Sequence, residues 1–399
     1  MNPRAWSNMA IRVPLILAGS LIASCTDPGP AAAPEPQPLS QRFQAELEAL
    51  HAELKFTGAT AAYVLPDGTL GVAATGLADV ESRQAMKPES RMLAASIGKT
   101  FVGAEVLALA QEGKLGLDDA VSRWLGDRPW YSRLPNGGEI TIRHLLTHTA
   151  GLHDHVYEEA FAKAISERWQ APGDALPPEA LVEFILDKEP LNEPGEGFHY
   201  SDTGYILLGL IIEKAADGSF YQEVEKRFLG PLDLDQTSPS NRRELEGLAA
   251  GYTTVDNPLG LPPKSTTAPG VMAWNPSVEW TGGGFISSSR DLARWAKALY
   301  EGKAMEGDYL GELFHTVPVV AGKMSYGAGV GIYEDTPLGP VHGHGGGIPG
   351  YISSMRYYPD HRFAVAFQVN TDIDADKFAD AIQDRLATLV AESLKRSDE

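Results

Sequence analysis

Strand-forming segments lie at both ends of this chain, with helical segments between them. Residues 60–65 and 69–76 are rich in apolar and β-branched side chains and flank the turn signal Pro66-Asp67-Gly68. Far downstream, residues 351–358 and 363–371 repeat the pattern around Pro359-Asp360-His361-Arg362. A lone hairpin is marginal in water, so the two ends are expected to join in one antiparallel sheet. Helices are expected at 41–54, from Ser96 to Glu112 with Gly113 as terminator, and at 142–146, 178–186, 203–216, 290–300 and 374–395. The expected fold is therefore α+β, an antiparallel sheet flanked by helices. Residues 41–125 and 286–399 would form the sheet domain, and 126–285 a mostly helical insertion.

The balance of residues excludes some partners. The 399 residues are 43% hydrophobic and 22% charged, enough to bury a full core. A net charge of −20 argues against nucleic acid, whose phosphates require clustered cations.

Residues 1–24 read as a leader rather than as part of the fold. Arg4 and Arg12 make a basic start, and 13–23 is an apolar stretch too short for a typical membrane span. The stretch ends in Leu21-Ile22-Ala23-Ser24-Cys25, which resembles a bacterial lipobox with Cys25 as the lipidated residue. Cys25 is the single cysteine of the sequence, so it has no intramolecular disulfide partner. Residues 25–40, rich in Pro and Ala, read as an extended tether. The expected location is the periplasmic side of a bacterial cell envelope, anchored to a membrane through lipid.

Three short motifs carry chemistry. Ser96 and Lys99 are three residues apart at the start of an expected helix, which puts them on one face about a turn apart. An amine there can reach the serine hydroxyl, a weak nucleophile until a base takes its proton. Tyr200-Ser201-Asp202 precedes an apolar helix; a tyrosine there can shuttle protons if cations lower its pKa. Asp202 would suit the N-cap of that helix. Finally, His342-Gly343-His344-Gly345-Gly346-Gly347 leads into the strand at Tyr351. Its glycines would let a substrate approach the backbone, and free N–H groups could polarise a carbonyl.

Ser-x-x-Lys, Tyr-x-Asp and His-Gly-Gly, in that order, resemble the serine β-lactamase and penicillin-binding superfamily. The branch they look most like holds class C β-lactamases, D-Ala-D-Ala carboxypeptidases and family VIII esterases. Residues 113–121, 140–152 and 282–293 extend the resemblance. It implies that Ser96 is acylated, that Lys99 activates it, and that Tyr200 passes protons to the leaving group and to deacylating water. It also implies an oxyanion site between the backbone N–H groups of Ser96 and Gly347, with Asp202, His344, Gly345 and Gly346 beside the substrate. No cofactor or metal is implied: the histidines at 144, 148, 153 and 155 fall in or next to a family segment that needs none. The expected partner is a small molecule or a peptidoglycan-like substrate.

Two departures bear on the substrate. His344-Gly345-Gly346 stands where β-lactamases carry Lys-Thr-Gly, so a fixed cation gives way to an imidazole expected to be partly charged near neutrality. Asp202 stands where Asn is common, so an amide becomes an acceptor. Both favour a small ester or a D-amino-acid peptide or amide over a β-lactam. A class C-type β-lactamase and a non-catalytic cell-wall or β-lactam-binding protein are the alternatives. If Cys25 carries the anchor, Cys25→Ser abolishes metabolic labelling with palmitate and moves the protein from the membrane to the soluble fraction; unchanged fractionation counts against the lipid reading.

Overall fold

The computed structural model describes residues 37–168 and 175–397. The expected leader, Cys25 and most of the tether lie outside these residues. Among the described residues no helix is long and apolar enough to cross a membrane.

The two ends of the chain do meet in one sheet. Its strands are β1 (Gly58–Val64), β2 (Leu70–Asp79), β3 (Gln84–Ala85), β4 (Val317–Val320), β5 (Met324–Tyr326), β6 (Gly331–Tyr333), β7 (Val341–Ile348), β8 (Tyr351–Tyr358) and β9 (Phe363–Val369). Among the described residues the order is β3-β2-β1-β9-β8-β7-β6-β5-β4, antiparallel throughout. The seam between the chain's ends is the β1–β9 pair, in which Ala59 faces Val369 and Val64 faces Ala364.

Both central strands are buried on both faces, and their alternation sorts side chains into two cores. On one face Ala61, Tyr63, Val365 and Phe367 pack under α1 (Leu39–Leu54) and the closing helix α6 (Ala375–Ser397). Helix α1 supplies Phe43, Leu47 and Leu50 at helical spacing, and α6 supplies Phe378, Ile382, Leu386 and Val390. On the other face Ala62, Val64, Ala364 and Ala366 join the larger core with the helical part of the chain. That side carries α2 (Lys99–Gln111), α3 (Ile142–Leu146), α4 (Asp202–Ala216) and α5 (Ser289–Tyr300). Helix α4 is nearly all apolar from Tyr205 to Ile212 and is buried along that length. Ahead of β3 the outer edge of β2 is unpaired; there the Gln44 side chain both accepts from the Ala74 N–H and donates to the Ala74 carbonyl.

The sequence reading placed no strands at β4 to β6 and set the His-Gly run ahead of the Tyr351 strand. Residues 341–348 instead form β7, paired with β8 from His342–Tyr357 to Ile348–Tyr351. Glycine is a poor strand former, yet here small size is required. A Cβ on Gly346 would collide with the Ala94 carbonyl, which also accepts a 2.7 Å hydrogen bond from Ser353. This contact seats the segment before Ser96 directly on the sheet. Gly346→Ala is expected to cost about 1–3 kcal/mol of stability through overpacking, read from urea unfolding; a wild-type midpoint means that the Ala94 segment yields freely.

Candidate active site

Ser96 sits in a short 3-10 turn, Ala95–Gly98, that runs straight into α2. Ala95 enters the turn at φ +49°, a left-handed conformation that costs a non-glycine residue about 1 kcal/mol or more. Gly98 holds the other side: a Cβ there would lie 2.8 Å from the Gly283 backbone. The turn puts Lys99 Nζ 3.3 Å from Ser96 Oγ, as the spacing predicts. Lys99 is fully buried, whereas Ser96 keeps partial exposure. The Lys99 ammonium donates to the Gly282 carbonyl and forms an ion pair with Asp202 Oδ1. The Tyr200 ring centroid is 5.0 Å away.

The second motif differs in detail from the expectation. Ser201, not Asp202, is the N-cap of α4, its hydroxyl accepting from the Gly204 N–H at 3.3 Å. Asp202 is the first helical residue, free of capping duty and turned to Lys99. The condition of a lowered Tyr200 pKa is not met. Burial and the Asp202 carboxylate push this phenol well above its usual value, and the Ser96 hydroxyl only partly offsets them. The Tyr200 hydroxyl is shut away from solvent without a well-formed hydrogen bond. It is a held proton, not a phenolate base.

The third motif brings His344 to the same place from β7. Two bonds fix its tautomer. Nδ1 donates to the Gly345 carbonyl at 2.6 Å, so Nε2 is unprotonated and accepts from the Tyr326 hydroxyl at 2.8 Å. Burial, with Lys99 nearby, lowers the His344 pKa to about 3. The expected partial charge is therefore absent at neutral pH. Gly345 and Gly347 are partly exposed, whereas Gly346 is buried against Ala94.

Several residues of the site were not found from the sequence as site residues. Tyr326 belongs to none of the three motifs. Gly282, whose carbonyl accepts the Lys99 hydrogen bond, belongs to a stretch read only as a family segment. Two further carboxyls act on Lys99 and Asp202. Burial raises Asp154 well above the carboxylate range, and burial with Asp202 brings Glu279 up to about 8. No spacing announces either. His155 is buried and bonded to Thr203 at 2.9 Å, and His153 meets the Glu189 carbonyl at 3.0 Å, so both are engaged in structure. His144 lies within α3, while His148 follows it at φ +55°, so the helical i,i+4 pairing does not form. Trp280 is buried against Gly209 and near Phe220, a packing role.

The raised Glu279 carboxyl has a consequence for stability. Folded, the group keeps its proton up to about pH 8, whereas its ordinary value is 4.5. The folded chain thus binds more protons between these values, and stability declines as pH rises through that window. Glu279→Gln removes this decline, so its stability relative to wild type should grow from pH 5 to pH 8 in urea titrations; a pH-independent difference contradicts the assignment.

Known proteins share this architecture. The Beta-lactamase family model matches residues 43–389. Penicillin-binding protein 4* of Bacillus subtilis is 30% identical over 311 residues, spanning 75% of this chain and 65% of that protein. The chain thus spans slightly less than two thirds of that relative. A D-stereospecific amidohydrolase from Streptomyces sp. superposes with a TM-score of 0.71 at 29% identity, over 86% of this chain and 98% of the other. The octameric penicillin-binding protein homologue from Pyrococcus abyssi gives 0.68 at 27% identity, over 83% and 73%. With its antiparallel sheet flanked by helices and the family match over most of its length, the chain belongs to the β-lactamase family, within the β-lactamase and penicillin-binding-protein superfamily.

Proposed function

We propose that this protein is a serine hydrolase that forms an acyl-enzyme on Ser96 and cleaves a small ester or a D-amino-acid amide or peptide. The observation that carries the reading is the buried Lys99 amine, 3.3 Å from the Ser96 hydroxyl and paired with Asp202. Attack forms a bond from Ser96 Oγ to the acyl carbon and releases the hydroxyl proton into the Lys99–Asp202–Tyr200 cluster. That proton belongs to the cluster rather than to one member. Tyr200, held protonated, gives a proton to the departing alcohol or amine and is recharged by the cluster. Water then enters by the reverse relay and releases the acid.

The oxyanion is held by the N–H groups of Ser96 and Gly347. Hairpin geometry supports the second donor. The two-residue loop Pro349-Gly350 joins Ile348 to Tyr351, so that pair is the hydrogen-bonded one and alternate residues turn to the other edge. Gly347 and Gly345 fall in that outward set. Pairing of β7 with β6 stops at Gly343, leaving the outward edge at Gly345 and Gly347 without a partner strand. The bond from His344 to the Gly345 carbonyl fits the same alternation.

Charge argues for the substrate class. A neutral His344, and glycine at 345, give a substrate carboxylate neither a fixed cation nor a hydroxyl. Asp202 balances the Lys99 charge, and the raised Asp154 and Glu279 carboxyls hold their protons, so the site offers an acidic substrate no surplus cation. Such a site suits neutral or amine-bearing acyl groups better than acidic β-lactams. Likeness to a D-stereospecific amidohydrolase supports the amide branch of this reading. With the leader and Cys25 read from sequence, the reaction would take place in the cell envelope.

One panel tests the reading: short-chain nitrophenyl esters, D-amino-acid amides, D-Ala-D-Ala peptides and nitrocefin. Esters or D-amides should turn over best, nitrocefin poorly, and Ser96→Ala should lose about 10³-fold or more. Retained hydrolysis in Ser96→Ala removes the covalent mechanism, while efficient nitrocefin turnover removes the substrate assignment. His344→Lys should shift preference toward carboxylate-bearing substrates; an unchanged ratio would mean that residue 344 does not face them.

A further inference from the structure

His148 is buried at the centre of the site, and the mechanism above gives it no part. It is 2% exposed and its backbone takes φ +55°, a left-handed conformation uncommon outside glycine and asparagine. The segment carrying Tyr200 is fastened to it at two points. The His199 N–H donates to the His148 carbonyl at 2.8 Å, and the Ser201 N–H donates to His148 Nδ1 at 3.1 Å. Tyr200 lies between these bonds, and its ring rests on the imidazole at a centroid distance of 4.1 Å and an interplanar angle of 32°. Tyr326, the partner of His344, packs on the same imidazole at 4.9 Å.

The bond at Nδ1 sets the tautomer. An acceptor there leaves the proton on Nε2, which is buried without a partner. Leaving such a group buried and unpaired is costly. A purely packing position would be better filled by a phenyl ring. What phenylalanine cannot supply is the acceptor for the Ser201 N–H. That N–H matters because Ser201 also caps α4 and precedes Asp202, the partner of Lys99.

We infer that His148 is a positioning residue, an imidazole template that fixes the backbone on both sides of Tyr200 and aims the Tyr200 hydroxyl at Ser96. Neutrality is part of the role, because only an unprotonated Nδ1 accepts this bond, and burial with Lys99 nearby keeps the ring neutral. The inference rests on the serine mechanism proposed above.

Two substitutions separate the functions of the ring. His148→Phe keeps a stacked ring and loses the acceptor; His148→Asn keeps an acceptor near Nδ1 and loses the ring. The test measures kcat and KM for nitrophenyl acetate in each variant, alone and combined with Tyr200→Phe, with Ser96→Ala as control. His148→Phe should lower kcat about 10–100-fold with KM within about twofold, and His148→Asn should recover part of that loss. In the Tyr200→Phe background neither change should lower kcat further, because the residue acts through the phenol. Equal losses in both backgrounds, or wild-type kcat in His148→Phe, overturn the inference. If His148→Phe does not fold, the same cycle with His148→Asn decides it by the same criterion. An active Ser96→Ala would instead overturn the underlying serine mechanism, so the two failures are told apart.

Discussion

The buried ammonium of Lys99 is the interaction on which the site depends. A lone charge removed from water costs several kcal/mol, so it must be met by acceptors held in place. Here they come from three separated parts of the chain: the Ser96 hydroxyl, the Gly282 carbonyl and the Asp202 carboxylate. Satisfying this one charge ties the start of α2, the strand-flanking loop after Trp280 and the start of α4 to one point. The sheet and the helices packed on it thus share a polar centre as well as an apolar core.

Close backbone approach makes that centre possible. Gly346 lets β7 touch the Ala94 carbonyl, and Gly98 lets the turn of Ser96 lie against Gly283. The same closeness excludes water and sets the protonation states. Tyr200 is kept as a phenol and His344 as a neutral imidazole. Low local dielectric strengthens each remaining hydrogen bond, and a group left unpaired becomes correspondingly costly. His148 shows both effects, with one ring nitrogen bonded to the Tyr200 segment and the other without a partner.

Much of this was legible beforehand where the signal is local. The helix at 142–146 and the strand at 351–358 were read with the bounds they have, and α1, α4 and α5 within two residues at each end. Their apolar spacing directly records which face is buried. The region of β4 to β7 was not legible as strand, because its short segments and run of glycines carry little strand propensity. Pairing with β8 imposes the extended form on β7. Tyr326 belongs to no sequence motif, and only its hydrogen bond to His344 distinguishes it from a packing aromatic.

The sequence by itself determined the superfamily, the joining of both chain ends in one sheet, and the Ser96–Lys99 pair, whose reach follows from helical spacing three residues apart. Tertiary structure alone decided the charges and the partners. Lys99 meets Gly282 across 183 residues, Asp202 turns to it instead of capping its helix, and His344 and Tyr200 hold their neutral forms. The physical reason is that burial, and the charges brought close by folding, set protonation and pairing. Neither quantity exists along the chain until its distant segments pack together.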